Sequence, residues 1–351
     1  MGRVSRPGGA VAPAIAVRSA PPAPPRRLHG VDVLRGLAVV GMLVVDNRGN
    51  GSIAAQWHHA AWDGLHVADV VFPAFLLVVG VSMPFSRRAD RPRAVLLRVL
   101  RLAVLGFLVV TAKYGPGTVG AGVLGHIAGA YLLCWALLRL PRPVQPLAAA
   151  GVLTGLTVLT VLGGAGPEHS WARTLDEAIG LSFSAEAPHA FLGSAVTVYL
   201  GVLAGRALQS GTGRAVLLRL GGGGALLVVA GLALAPLVPV NKRLWSPSFV
   251  LVTGGLAVLA LATLHWLVDQ RGFRRPLRPV EALGLNAIVA FVLSEVVFRA
   301  VLSGTVQPQV DRWVGAVAGA TFSAWAYPAA SVAVIWAVCA GLARRGVVVR
   351  V

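Results

Sequence analysis

His58-His59-Ala60-Ala61-Trp62-Asp63-Gly64-Leu65-His66-Val67-Ala68-Asp69 sets three histidines, two aspartates and a tryptophan directly before an apolar run that begins at Val70. An imidazole beside a carboxylate is held in one tautomer and gains basicity, which is what a general base near neutral pH requires. His59, Trp62, Asp63 and His66 fall at helical spacing, so a helix here would put all four on one face, with the indole as a flat platform for a sugar ring. The competing reading is an interfacial belt, where Trp and His sit at headgroup level. Asp69 stands at the mouth of an apolar segment, where an ionised carboxylate needs a partner; His66, His59 and Lys242 are the candidates. Its alternative is a plain helix N-terminal acid.

Other polar groups are spread around this stretch. Asp46-Asn47 closes the preceding apolar segment and is placed to face His59 across a cavity. Asn241-Lys242-Arg243-Leu244-Trp245 brings an amide, positive charge and an indole to the start of a later segment, either as a ligand subsite or as a solvated loop. Glu295 and Arg299, four apart, make an intrahelical ion pair. Arg98 and Arg101 lie near the start of the third apolar segment, where they snorkel to headgroups or bind the phosphates of a cofactor. No phosphate-binding GxxxxGKS/T loop, HExxH zinc motif or GxSxG elbow occurs, which disfavours ATP-driven transport and zinc proteolysis. Cys134 and Cys339 stand in apolar segments without metal-ligand spacing, and no metal is expected.

The elements that must position these groups are membrane helices. Apolar residues make up 56% of the 351, charged residues 13%, and the mean hydropathy is +0.75, so the chain reads as an all-α, polytopic integral membrane protein. A span needs roughly 20 mostly apolar residues. About ten segments qualify: 30–47, 66–86, 94–113, 119–138, 145–163, 190–208, 215–238, 247–268, 281–302 and 324–343. The Gly221–Gly224 run is expected to break the seventh or to let a neighbour pack closely. Residues 1–28, rich in Pro and Arg, read as a disordered cytoplasmic tail, and 29–351 as one transmembrane domain. With the N-terminus inside, twenty-one of the 31 Lys and Arg fall on cytoplasmic loops and seven outside, so both termini are expected in the cytoplasm and the His59 stretch on the far side. The net charge of +18 needs no nucleic-acid partner, because no clustered basic face or RNA-binding motif accompanies it. The expected partner is the bilayer, with a homodimer through small-residue faces allowed but required by no motif.

Five segments resemble the transmembrane acetyltransferases typified by heparan-alpha-glucosaminide N-acetyltransferase and their bacterial relatives. They are Val31-Asp32-Val33-Leu34-Arg35-Gly36-Leu37-Ala38; His59-Ala60-Ala61-Trp62-Asp63-Gly64 continuing into Ala68-Asp69-Val70-Val71-Phe72-Pro73; Gly122-Val123-Leu124; Asn241-Lys242-Arg243-Leu244-Trp245-Ser246-Pro247-Ser248-Phe249; and Gly284-Leu285-Asn286-Ala287-Ile288. The resemblance implies transfer of an acetyl group from cytosolic acetyl-CoA to an amino sugar across the membrane, with His59 as the essential histidine. It also implies that Asp46, Asn47 and Asp69 serve that histidine. Trp62, Asp63, Asn241, Lys242 and Trp245 are then expected to receive the acceptor, and Arg98 and Arg101 the acetyl-CoA. Two departures stand out: Gly125-His126 replaces the family's Gln-Arg, and Ser184-Ala185-Glu186-Ala187 keeps only the glutamate of Asp-Pro-Glu-Gly. Twenty-nine arginines against two lysines suggest a GC-rich bacterial genome and therefore a bacterial cytoplasmic membrane. The expected function is an acyl-CoA-dependent membrane acyltransferase, its rival a proton-coupled transporter or flippase of a sugar or lipid-linked precursor.

Overall fold

A long apolar segment in a medium without water has to satisfy its amides within itself, and the α-helix does so. The computed structural model describes residues 28–48, 53–86, 90–116, 118, 120, 122–211 and 213–349. The tail expected over 1–28 lies outside them except for Leu28, as do Arg87 and Arg88. Among the described residues there are thirteen α-helices and no strand. They are α1 (His29–Asp46), α2 (Val67–Ser82), α3 (Pro92–Tyr114), α4 (Gly122–Leu137), α5 (Val144–Gly163), α6 (Trp171–Ala178), α7 (Phe191–Ser210), α8 (Gly213–Leu234), α9 (Pro247–Leu264), α10 (Arg278–Leu285), α11 (Ala287–Val292), α12 (Val306–Ala318) and α13 (Ala320–Arg344). Helix α9 runs on as a π-helical turn, His265–Gln270, and α11 as a longer one, Leu293–Leu302.

Each of the ten apolar segments falls on a helix or a bent helix pair. Six helices are long and apolar enough to cross a membrane, and a seventh span results if Arg275–Leu285 and Ala287–Leu302, bent by 71°, count as one. Helices α2 and α4 are apolar but only 16 residues long, and α1 carries Asp32, Arg35 and Asp46 within its 18. The protein is thus an all-helical polytopic membrane protein. Helices α7 and α9 lie innermost, with 67% and 72% of their apolar windows buried, against 17% and 22% for α5 and α8. The outer helices turn Leu147, Leu162, Leu218 and Leu226 outwards, as a lipid solvent allows.

Glycines set the closest approaches. A Cβ on Gly80 of α2 would overlap the Val198 carbonyl of α7, and one on Gly201 of α7 would overlap that of Leu77. Gly36 of α1 and Gly284 of α10 stand in the same reciprocal relation. The Gly221–Gly224 run does not break α8, which is continuous; Gly224 lies against the Gly255 carbonyl of α9, whereas Gly221 has nothing within 4 Å of a built Cβ.

The bend between α10 and α11 falls at Asn286, which is fully buried. Its amide donates to the Val347 carbonyl at 3.2 Å and its oxygen accepts from Val349 N at 2.9 Å, so the C-terminal residues dock onto the break.

Gly201→Ala is expected to destabilise the protein by about 1–3 kcal/mol, because the opposing atom is rigid backbone. Gly221→Ala is expected to leave stability unchanged or raise it by up to about 1 kcal/mol through helix propensity. Melting temperatures of the two variants in one detergent check both, and equal effects would refute the packing argument.

Candidate active site

Asp69, in the first turn of α2, is 1% exposed. Its Oδ2 accepts from Ala60 N and His66 N, both at 3.1 Å, and its Oδ1 lies 2.8 Å from His59 Nδ1. Three donors around one carboxylate fold residues 58–66 back against the helix start as a loop. The expected single helical face is therefore not formed: short polar side chains that bond nearby amides compete with the helix, and Gly64 adopts φ +113°. His59 remains beside Asp69, but Trp62 turns away, donating to the Ala165 carbonyl at 2.8 Å with its ring against Phe183. Asp63 accepts from Asn241 Nδ2 at 3.0 Å, and His66 Nδ1 donates to the His58 carbonyl at 2.9 Å.

The Asn241–Ser248 segment is a tight turn locked onto that loop. Asn241 is fully buried: its Oδ1 accepts from Leu244 N at 2.9 Å, and its backbone N–H donates to Ser246 Oγ at 3.0 Å. Ser246 caps α9 by accepting from Phe249 N, and Gly64 N donates to the Val240 carbonyl. Trp245 takes a left-handed backbone, φ +48°, and packs in the core against Phe72, His126 and Phe249. Lys242 is presented to His59, with Nζ 3.2 Å from each ring nitrogen and 4.0 Å from Asp69 Oδ1. An atom equidistant from both nitrogens at that range sits over the ring face, since an in-plane position would overlap Cε1. Burial pushes the Lys242 ammonium below the usual lysine range, partly opposed by Glu186, Asp69 and Asp46.

His59 and Lys242 line one end of a cavity of about 1,220 Å³, together with Asp46 and Glu186. The other end carries Arg35, Ser82, Ser86, Arg98 and Arg101, so five of the site residues expected from sequence, Asp46, His59, Lys242, Arg98 and Arg101, share one space. From Asp46 to Arg35 along α1 the separation is about 16 Å at 1.5 Å per residue. The walls between are apolar, with Met42, Phe72, Phe75, Val79, Leu124 and Ile127. Arg98 lies over the Tyr131 ring at 4.6 Å, and its Nε is buried without a hydrogen-bond partner among the described residues. Arg35 donates to Asp32 and Ser82, each at 3.0 Å.

Of the five residues expected to receive an acceptor, only Lys242 lines this cavity; Trp62, Asp63, Asn241 and Trp245 build the scaffold that presents it. Asn47 opens instead onto a second cavity, shared with Asp46, and its amide nitrogen donates to Leu43 O and Ser294 Oγ. The Glu295–Arg299 pair forms at 2.9 Å and is extended by Lys113 at 2.7 Å and by Asp46 at 3.2 Å. Glu186 and Arg35 were not expected at the site. Glu186 is the sole survivor of a motif and Arg35 sits in an apolar segment, a position that marks a charge with a partner. His126 is buried against Phe72, Phe191 and Trp245, behind the cavity wall. One group among the described residues, His29, Asp32 and Glu281, brings metal-type ligand atoms within 4.8 Å of one another. Arg35 and Arg274 already bond both carboxylates there, which makes it an ion-pair cluster.

A family model described as heparan-alpha-glucosaminide N-acetyltransferase, catalytic, matches residues 27–177, a stretch that includes Asp46, His59, Asp69, Arg98 and Arg101. The heparan-alpha-glucosaminide N-acetyltransferase of Homo sapiens is 27% identical over 357 aligned residues, covering 78% of this chain and 53% of the human protein. That of Mus musculus is 25% identical over 355, covering 77% and 53%. The chain spans about half the length of the curated relatives it matches. The family match covers the segment that carries the His59–Asp69 dyad and the two arginines, and the two relatives extend the similarity over most of the chain, which makes this protein similar to the heparan-alpha-glucosaminide N-acetyltransferases.

Proposed function

We propose that this protein is a membrane acyltransferase that takes an acetyl group from cytosolic acetyl-CoA and delivers it to an extracytoplasmic sugar or amino-sugar acceptor. The observation that carries the reading is the single cavity with arginines and hydroxyls at one end and the His59–Asp69 dyad at the other. Arg98, Arg101 and Arg35, whose guanidinium groups are suited to phosphate oxygens, line that end of the cavity and would hold the phosphates of the donor. The apolar walls would take the thioester arm. This orientation, with both termini and the arginine end cytoplasmic, follows the distribution of Arg and Lys over the loops.

Because Asp69 accepts from two backbone amides, its contact with His59 is one in which Nδ1–H donates, leaving the Nε2 lone pair for chemistry. Nε2 removes the proton from the acceptor amine or hydroxyl as that atom bonds to the thioester carbonyl carbon. The C–S bond then breaks, and the proton returns from Nε2 to the departing thiolate. In the nucleophilic variant Nε2 itself takes the acyl group before the acceptor does; an acyl-histidine trapped by rapid quench without acceptor separates the two. The Lys242 ammonium faces the developing oxyanion. Asn47 is not given that role, since its amide hydrogens are directed at Leu43 and Ser294.

His59→Ala is expected to abolish transfer from radiolabelled acetyl-CoA to a panel of amino sugars while acetyl-CoA still binds. Transfer at the original rate would refute the mechanism, and acceptor moved across a membrane chemically unchanged would favour a transporter. Arg98→Ala and Arg101→Ala are each expected to weaken acetyl-CoA binding about tenfold, the size of a lost charged hydrogen bond. Unaltered affinity in both would remove the arginine end from the donor site.

Burial lowers the Lys242 pKa from 10.5, so its ammonium is lost at lower pH than an exposed lysine would lose it. The rate is therefore expected to fall on the alkaline side with a midpoint below that value. Lys242→Arg, which stays charged, should keep the rate through that range, and Lys242→Met should be slow and flat. An alkaline limb unchanged in Lys242→Arg would assign it to another group.

A further inference from the structure

Helix α13 ends in a glycine turn. Gly346 takes φ +70°, its N–H donates to the Ala343 carbonyl at 3.1 Å, and Val347 N donates to the Leu342 carbonyl at 2.9 Å. That pairing satisfies the last helix carbonyls and turns the chain back. Val347, Val348 and Val349 then lie against the break between α10 and α11. Val348 and Val349 line the main cavity beside Gly284, Leu285, Ala287 and Ile288, the residues that flank the break. Gly284 O lies 3.4 Å from Arg35 Nη1, so the valine segment is part of the wall at the arginine end.

Little holds that piece of wall. The three valines belong to none of the apolar clusters of the core, and Val347 and Val349 are 43% and 40% exposed. Beyond α13, their hydrogen bonds among the described residues go to Asn286 alone, which donates from Nδ2 to Val347 O and accepts at Oδ1 from Val349 N. One amide thus grips the peptide on both sides of Val348. Asn286 itself is fixed: it is fully buried, its N–H donates to the Leu283 carbonyl at 3.2 Å, and its own carbonyl accepts from Ala290 N at 3.0 Å. A segment with few buried apolar contacts and two neutral hydrogen bonds opens far more often than the helices it lies against.

We infer that Val347–Val349 is a strap over the arginine end of the main cavity, latched by Asn286, which opens to admit the acyl donor and closes behind it. Asn286 is then a positioning residue, acting through the strap and not on the reacting atoms. The inference rests on the proposed donor site for its ligand, whereas the motion of the strap can be read with no ligand present.

The test uses the full chain in detergent. Val349→Pro deletes the N–H of one latch bond and leaves every helix unaltered; Asn286→Ala removes both bonds, and melting temperatures report whether each variant is folded. Without ligand, hydrogen exchange at the Val349 amide should be at least about a hundredfold faster than in the middle of α13, and acetyl-CoA should slow it. Stopped-flow binding of acetyl-CoA to Val349→Pro should show association and dissociation both about fivefold faster, the factor that one neutral hydrogen bond contributes to a closed-to-open ratio, with Kd moving less than either rate. A latch that only stabilises the fold would lower the melting temperature and leave both rates as they were. Acetyl-CoA rates unchanged in folded Val349→Pro, or a Val349 amide exchanging as slowly as the α13 interior, would overturn the strap and leave the transferase standing. Fast exchange at Val349 that acetyl-CoA does not alter, with no acetyl-CoA bound by the unaltered protein, would overturn the donor reading and the strap's part in it together.

Discussion

A carboxylate buried in the first turn of a membrane helix can be tolerated only if its oxygens are saturated, because an unpaired charge there costs several kcal/mol. Asp69 meets that demand with the Ala60 and His66 amides and the His59 imidazole. The same three bonds start α2, fold the preceding loop and aim the imidazole. The geometry of the candidate site and the start of α2 therefore rest on one side chain, and the loop bearing His59 stays in place because Asp69 needs it. The Asn241 knot repeats the arrangement one layer out, bonding Asp63 on the first loop and Leu244 on its own turn, which leaves Lys242 pointing at the ring.

The cavity exists because the helices around it are fastened on their other sides. Helix α1 meets α10 backbone to backbone at Gly36 and Gly284, while its neighbouring positions Arg35, Ala38 and Met42 face the open space. Helix α2 meets α7 at Gly80 and Gly201, with Val79, Phe75 and Phe72 on the open side. Without a hydrophobic drive between helices in lipid, such close small-residue contacts supply much of the packing energy. They hold the walls rigid without requiring the cavity itself to be filled.

Much of this was legible in the sequence, for a simple reason: in a membrane, hydropathy alone forces helix, so all ten apolar segments fall on helices. What hydropathy does not encode is the path of a polar loop. Residues 58–66 have helical spacing and yet form a loop, because Asp69 draws the amides of Ala60 and His66 to itself. Trp62 and Trp245 have the residue type of a sugar platform but are consumed by packing and by the Ala165 carbonyl. Arg98 and Arg101 were found by their charge in an apolar setting, and the same signal at Arg35 was spread too near the chain's first helix turn to be singled out. Glu186 depended on a turn between α6 and α7 that no periodicity reveals.

The fold contains another close Asp–His pair, fully buried, and the two differ in what the imidazole faces. His189 Nδ1 lies 2.7 Å from Asp176 Oδ2, closer than His59 lies to Asp69, and both side chains are fully buried. Its Nε2, however, lies 2.8 Å from the Arg243 carbonyl, which can only accept, so both ring nitrogens are engaged and the pair cross-links the segment after α6 to the turn before α9. The ring is boxed in by Trp171 and Phe183. The His59 side chain is instead 42% exposed and lines the main cavity, with Nδ1 beside Asp69 and the Lys242 ammonium over the ring face. Proximity of imidazole and carboxylate is common to both pairs; of the two histidines, only His59 lines the main cavity, while His189 has both ring nitrogens engaged by the protein.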